Sequence, residues 1–323
     1  TYGWHKEDWR QLTGLAELGD ALPVMRPGCG SKTLEPGVSE ELELAFGDIR
    51  LQSREIDMGS AEDPMEACFE RGWSDGLPVV PPTPVRVLRM LKGTSRKPDE
   101  VVGLMPPDLV PVTVEKVAIN AVLAGCKPEY MPVLLAALEA ALTDAFGLHG
   151  LICTTMFGSP MIVVNGPAAR AIGMNSGVNA LGQGNRANAT IGRALQLIIR
   201  NVGGGRPGEI DRATLGNPGK YSFCFAEAED ADWLPLAQER GIEAGRSAVT
   251  LFPGEGVQGI VDQKSRDPES LARSFALSLR TVDHAKLAMA GDAVLVVSPE
   301  HARVFIEAGW SKQRLRDELE KLL

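Results

Sequence analysis

The sequence predicts an α/β protein, a mixed-sheet α/β sandwich with an extended N-terminal arm, and three observations carry that prediction. Strand-like runs at 161–164, 221–226, 247–252 and 293–297 alternate with helical stripes, the rhythm of helices laid on a sheet. Helix starts and stops are plainly written: Thr83-Pro84, Ser298-Pro299 and Ser311 precede periodic runs, and Gly93, Gly125 and Gly309 follow them. Composition shifts near residue 63. Before it lie a polar amphipathic start with Trp4 and Trp9, a turn-rich patch around Cys29, and a stretch at 48–62 that reads as a linker or an edge strand. The chain therefore divides into an N-terminal arm or small subdomain, 1–62, and an α/β catalytic or ligand-binding domain, 63–323.

Taken in order, Asp63 to Arg71 opens the folded part as a helix that Gly72 stops. The turn Trp73-Ser74-Asp75-Gly76 leads into a proline-crowded rim, since Pro78, Pro81 and Pro82 exclude a central strand. Thr83 starts the next helix, and Thr113 caps another whose stripe of Val117, Ala121 and Leu123 ends at Gly125-Cys126. Glu129 to Leu142 is apolar nearly all round, which predicts a buried helix. The run from Phe146 through His149 and Cys153 leads into a strand, and Met161 to Val164 forms a second. Ile191, Ala194, Leu195, Ile198 and Val202 then mark a helix, capped by Asn188 or Thr190 and stopped by Gly203-Gly204-Gly205. Asp267-Pro268 starts a helix with Leu271, Phe275 and Leu279 on one face, His301 sits in the first turn of the next, and a last helix runs to Leu323.

Charge and cysteine usage exclude several classes. Thirty-three basic against forty-two acidic residues give −9 with no basic run, which argues against nucleic acid or an anionic membrane as partner. No apolar run is long enough to span a membrane. Five cysteines at irregular spacing suit reduced thiols in a cytoplasmic protein, and the absence of C-x-x-C and H-E-x-x-H argues against a closed structural zinc site. Gly182-Gln183-Gly184-Asn185-Arg186-Ala187 has dinucleotide-fingerprint spacing but lacks the β-branched strand that should lead into it, and no Walker-type loop occurs. No nucleotide cofactor is expected.

Chemistry concentrates between Met161 and Glu229, a stretch dense in glycine and asparagine. Glycine admits positive φ and close approach, and asparagine both donates and accepts. The candidate ligand-binding residues are Asn165, Asn175, Ser176, Asn185, Arg186 and Asn188, because a helix amino end beside Arg186 suits a carboxylate or a polarised carbonyl. The competing reading is a capped helix whose asparagines satisfy their own loop. Candidate thiols are Cys126, next to Lys127, and Cys29, near Arg26 and Lys32, with Cys68, Cys153 and Cys224 assigned to the core. His149, Glu255 and His301, if they converge, would suit acid–base work or an open metal site, so a metal is left open.

Several runs, RGWSDGLPVVPPT, VEKVAINAVLAGCKPEYMPV, VNGP, ANATIGRA, NVGGGRPG, PGKYSFC and SPEHARVFIEAGWSK, resemble a bacterial family whose members occur alone or beside a domain with a U-G-S-C motif led by selenocysteine or cysteine. The resemblance covers about residues 66–323. It implies a thiol- or selenol-bearing partner and a reductive or lyase-type cleavage next to a heteroatom. Relatives often place a histidine soon after the acid matching Glu255, whereas this chain has Gly256-Val257-Gln258, and Cys29-Gly30-Ser31-Lys32 lacks the closing cysteine of U-G-S-C. The expectation is thus a small-molecule enzyme acting on a small polar or anionic substrate through a thiol or a histidine–carboxylate pair. The alternatives are a metal-assisted hydrolase or cyclase and a catalytically inert ligand-binding subunit. The buried helix and the arm together suggest a homo-oligomer.

Overall fold

Caps place most helices of the computed structural model, which describes residues 37–229, 232–282 and 291–323. Helix α1 (Val38–Phe46) is followed by α2 (Pro64–Glu70), capped by Asp63, which accepts from the amides of Met65 and Glu66 at 2.7 and 3.2 Å. Thr83 caps α3 (Pro84–Leu91) with proline at its first turn. Strands β1 (Val101–Met105) and β2 (Val110–Thr113) form an antiparallel hairpin, and Thr113 at once caps α4 (Val114–Ala124), which Gly125 ends in the left-handed region at φ +86°. Helices α5 (Met131–Ala141) and α6 (Leu148–Cys153) precede β3 (Ser159–Asn165). Then come α7 (Pro167–Ala171), α8 (Arg186–Asn201), β4 (Cys224–Ala226), α9 (Leu236–Glu239) and β5 (Ala248–Gly254). Three helices close the chain: α10 (Pro268–Val282), α11 (Pro299–Glu307) and α12 (Lys312–Leu322).

The fold is α/β with a mixed sheet. Strand order is β4-β3-β5, with β3 parallel to β4 and antiparallel to β5. All seven residues of β3 are buried, and its alternation divides two packings. Ile162 and Val164 join the main core with α3, α4, α5 and α8, whereas Met161 and Val163 face Phe225, Leu236 and Phe252. On α5, Leu134 and Leu138 are fully enclosed, as expected of a helix apolar all round, and truncating either to alanine would cost about 2–5 kcal/mol. A separate apolar cluster holds α10, α11 and α12 together through Leu271, Phe275, Phe305, Trp310, Leu315 and Leu319. Lys312 fastens that cluster to the sheet, lying 3.1 Å from Glu227 and 3.4 Å from Glu239, which Arg316 also meets at 2.9 Å.

Three expectations are corrected, and a fourth is narrowed. Residues 148–153 form a helix rather than a strand approach, because Leu148 and Ile152 bury together at a spacing of four. Residues 293–297 form no strand: Leu295 and Val297 pack inward and Val294 and Val296 outward, but no neighbouring strand supplies a ladder among the described residues. The cap of α8 is Asn185, one turn earlier than Asn188 or Thr190, since its side chain accepts from the Asn188 amide at 3.0 Å. Residues 48–62 contain no strand, which leaves the linker of the two readings, and contacts cross position 62. Leu51 packs on the main core, and the amides of Gln52 and Ser53 donate to the buried Glu115 carboxylate at 2.9 and 2.8 Å. The rest of the expected arm, 1–36, lies outside the described residues.

Candidate functional site

The carboxyl ends of the parallel pair β3 and β4 hold the densest polar network of the sheet. Asn165 ends β3 and is 1% exposed. Its Nδ2 donates to Glu227 Oε2 at 2.7 Å and to Glu229 Oε1 at 2.9 Å, both just past β4. Two carboxylates on one side dictate which end of the amide is nitrogen. The Oδ1 therefore points elsewhere, and it is buried without a partner among the described residues. Glu229 also accepts from the Gly166 amide at 2.6 Å and from Arg170 at 3.3 Å. Burial pushes its carboxyl pKa up, but the bonds from Asn165, Gly166 and Arg170 outweigh that, so it is held below the usual range and stays ionised. Glu227 accepts from the Leu236 amide at 2.7 Å and faces Lys312.

At the same edge the loop 173–185 returns to the amino end of α8, because α8 runs antiparallel to β4: Ala189 meets Ser222 and Gln196 meets Gly219. The asparagines read as a ligand floor are largely spent on the loop. Asn188 is 3% exposed, accepts from the Asn175 amide at 3.0 Å, and donates to the carbonyls of Asn175 and Ala180 at 2.9 and 3.1 Å. Asn175 makes an Asx turn to Gly177 and donates to Val178, while Asn185 donates to Gly173 as well as capping α8. Ser176 is half-buried beside them. Arg186 is exposed and donates through Nε to the Gly125 carbonyl at 2.9 Å, which ties α8 to the end of α4.

Cys126 sits beneath that tie, buried, its thiol donating to the Thr190 carbonyl at 3.3 Å. Burial pushes its pKa up to about 12, and the bond to Thr190 with the charges of Arg186 and Arg193 offsets only part of the rise. The thiolate expected beside Lys127 is therefore absent at neutral pH. Desolvation decides, not the neighbouring lysine. Cys224, likewise buried, is raised for the same reason, and Cys29 lies outside the described residues.

The histidine–carboxylate set is not assembled. His149 is exposed on α6, and His301 packs edge-on to Phe275 with Nε2 3.1 Å from the Asp262 carbonyl, inside the C-terminal cluster. Glu255 follows β5, whose antiparallel course pairs Gly254 with Ser159 and Ala248 with Asn165. Glu255 and Asn165 thus lie at opposite ends of β3, about 20 Å apart by strand rise. Among the described residues no three His, Cys, Asp or Glu side chains gather in a way that could hold a metal ion.

Sequence reasoning missed the most tightly held ion pair. Arg193 on α8 grips Asp75 with two parallel bonds of 2.8 Å and donates to the Leu77 carbonyl at 3.2 Å. Burial raises the Asp75 pKa, and the Arg193 guanidinium more than reverses this, leaving the carboxyl below its usual range. Beside it Asn201 donates to the Trp73 carbonyl at 3.0 Å and to Asn120 at 2.9 Å. The one local signal was an aspartate in a turn beside tryptophan. Two open grooves, of about 530 Å³ along Asp63, Met65, Thr83 and Arg86 and about 450 Å³ along residues 261–265 with Ser274, contain none of the residues singled out for chemistry. Among the described residues no helix is long and apolar enough to cross a membrane.

No family model, no curated protein and no solved structure matches this chain.

Proposed function

We propose that this chain handles a small polar molecule at the carboxyl edge of β3 and β4, as a lyase-type enzyme whose acid–base group is a carboxylate rather than a thiol. Asn165 carries the reading. Its buried carbonyl oxygen has no donor among the described residues, it stands between two glutamates, and it lies where α/β proteins collect ligands. Glu229 is the anchor, ionised and triply bonded. Glu227 faces the Lys312 ammonium at 3.1 Å, a pair able to pass a proton to or from a leaving heteroatom while staying hydrogen-bonded. Arg170, which donates to Glu229 at 3.3 Å and is otherwise exposed, supplies the positive counterpart for a carboxylate or carbonyl of the substrate. With Cys126 protonated and enclosed, any thiol the reaction needs would come from a partner chain, as the U-G-S-C resemblance implies.

A second reading, a binding subunit without catalysis of its own, is favoured by the full occupancy of both carboxylates, each already accepting from three donors. One experiment separates them. Small amines, amides and carboxylates are screened by thermal shift, alongside mass spectrometry of any ligand that co-purifies, and the ligand that stabilises the wild type is then tested for turnover. Asn165→Ala should lose the stabilisation, and Glu227→Gln should keep binding while losing turnover. Full stabilisation of Asn165→Ala would place the ligand elsewhere, and binding without turnover in the wild type selects the second reading.

A further inference from the structure

Four buried side-chain polar atoms lack a partner among the described residues, and three of them, Arg200 Nε, Asn201 Oδ1 and Arg206 Nε, fall within seven residues at the carboxyl end of α8. Unpaired buried groups are rare enough that a cluster of three calls for an occupant. The chain brings them together by reversing sharply. Gly204 takes φ +68°, and the Gly205 amide returns to the Ile199 carbonyl at 3.1 Å, so Arg206 comes back beside the turn that carries Arg200. The Arg206 guanidinium lies over Gly72, where an added Cβ would sit 3.8 Å from Nη2. Asn201 is tied to the neighbouring Trp73 carbonyl and to Asn120 through its Nδ2, which turns its Oδ1 to the remaining side.

Two acids of the adjoining segments are already engaged: Asp75 holds Arg193, and Asp211, whose amide donates to the Arg206 carbonyl, holds Lys220 at 2.9 Å. Neither Arg200 nor Arg206 forms an ion pair among the described residues. The carbonyl end of α8 explains why two cations are tolerated here. It does not satisfy their inner N–H groups. All three side chains are half-buried, so the outer nitrogens reach solvent. Guanidinium groups presenting Nε and Nη together bind oxyanions side-on, through two parallel bonds. The Asn201 oxygen, one residue on from Arg200, accepts and cannot pair with a bare anion.

We infer that Arg200, Asn201 and Arg206 form a binding site for a small carboxylate bearing its own neighbouring donor, a 2-hydroxycarboxylate in chemical class. The two guanidiniums take the carboxylate oxygens, and the ligand hydroxyl donates to Asn201 Oδ1. The inference stands apart from the strand-edge reading, because the side chains of Asn201 and Arg206 meet Trp73, Asn120 and Gly72 and not Asn165, Glu227 or Glu229.

The test is isothermal titration of the full chain with malate, with succinate, which lacks the hydroxyl, and with inorganic phosphate. Malate should bind, at least fivefold more tightly than succinate. Arg200→Met and Arg206→Met should each weaken malate at least tenfold. Arg206→Lys, which keeps the charge but not the fork, should weaken it at least threefold and serves where a methionine variant fails to fold. The inference is overturned if malate does not bind the wild type at millimolar concentration, if succinate or phosphate binds as tightly, or if folded Arg206→Lys binds malate as the wild type does.

Discussion

Replacing Asp75 with asparagine tests whether the rim segment is clamped to α8 by charge. Asparagine keeps the carbonyl that accepts from the Leu77 amide at 3.1 Å, so the turn survives and only the pairing with Arg193 is lost. The two side chains are 11% and 14% exposed, which puts the pair near the buried limit, and each of its 2.8 Å bonds is charge-assisted. Breaking such a pair by removing one partner costs about 3–5 kcal/mol. The remaining bond from Arg193 to the Leu77 carbonyl offsets part of this, so we expect a loss of about 3 kcal/mol in urea unfolding at pH 7. In an Arg193→Met background the same substitution should cost about 1 kcal/mol or less, because no charge is then stranded. The folded carboxyl titrates below the unfolded value of about 3.9, so the pair stabilises above that pH and its contribution disappears as pH falls through the folded pKa. The gap between wild type and Asp75→Asn should therefore close below about pH 4. A gap under about 0.5 kcal/mol at neutral pH, or one unchanged by Arg193→Met, would refute the clamp.

Three further outcomes are expected. Iodoacetamide at neutral pH should label half-buried Cys153 well ahead of Cys68, Cys126 and Cys224, as read by mass spectrometry; early labelling of Cys126 would restore a thiol mechanism. Asn188→Ala should cost about 2–4 kcal/mol in chemical denaturation, against about 1 kcal/mol for the cap variant Asn185→Ala, because Asn188 holds three bonds while 3% exposed. Gly192→Ala should destabilise by about 1–3 kcal/mol although alanine favours helix, since the new Cβ would lie 2.6 Å from Ser222 Oγ and 2.8 Å from the Phe223 amide; a gain in melting temperature would show that β4 yields.

What the sequence disclosed was local. Thr83, Thr113, Ser298 and Ser311 cap the helices they precede because a hydroxyl reaching an amide three residues on needs nothing from the rest of the chain. Asp75 and Arg193 are 118 residues apart, and no spacing announces their meeting. Cys126 was misjudged through its neighbour in sequence, when the surrounding core sets its acidity. Glu255 was read as a site residue alongside His149 and His301, but the direction of β5 is fixed by pairing with β3, which the loop from β4 does not encode, and this puts Glu255 at the end of β3 away from Asn165. Residues 293–297 show how far periodicity reaches: burial alternates as the pattern requires, and without a partner there is no strand. For the candidate site, the position of Asn165 at the end of a strand was legible, whereas the cap of α8 was read at Asn188 or Thr190 instead of Asn185. The orphaned atoms around Arg200 were not, because an unmet bond is a property of surroundings.

The Lys312 clasp gives this protein two kinds of glue. Apolar contacts inside each cluster are indifferent to dissolved ions, whereas the link among Glu227, Lys312, Glu239 and Arg316 is partly open to solvent and is screened by them. Ionic strength therefore acts as a selective solvent for one joint. Raising it loosens the last three helices from the sheet before either core melts, and amide exchange should register this as a separate, salt-dependent opening. Glu227 belongs to both the joint and the strand edge, so the same loosening releases one of the two carboxylates that hold the Asn165 amide in place. The strand edge is tuned by salt through Lys312 of α12, which reaches it at Glu227.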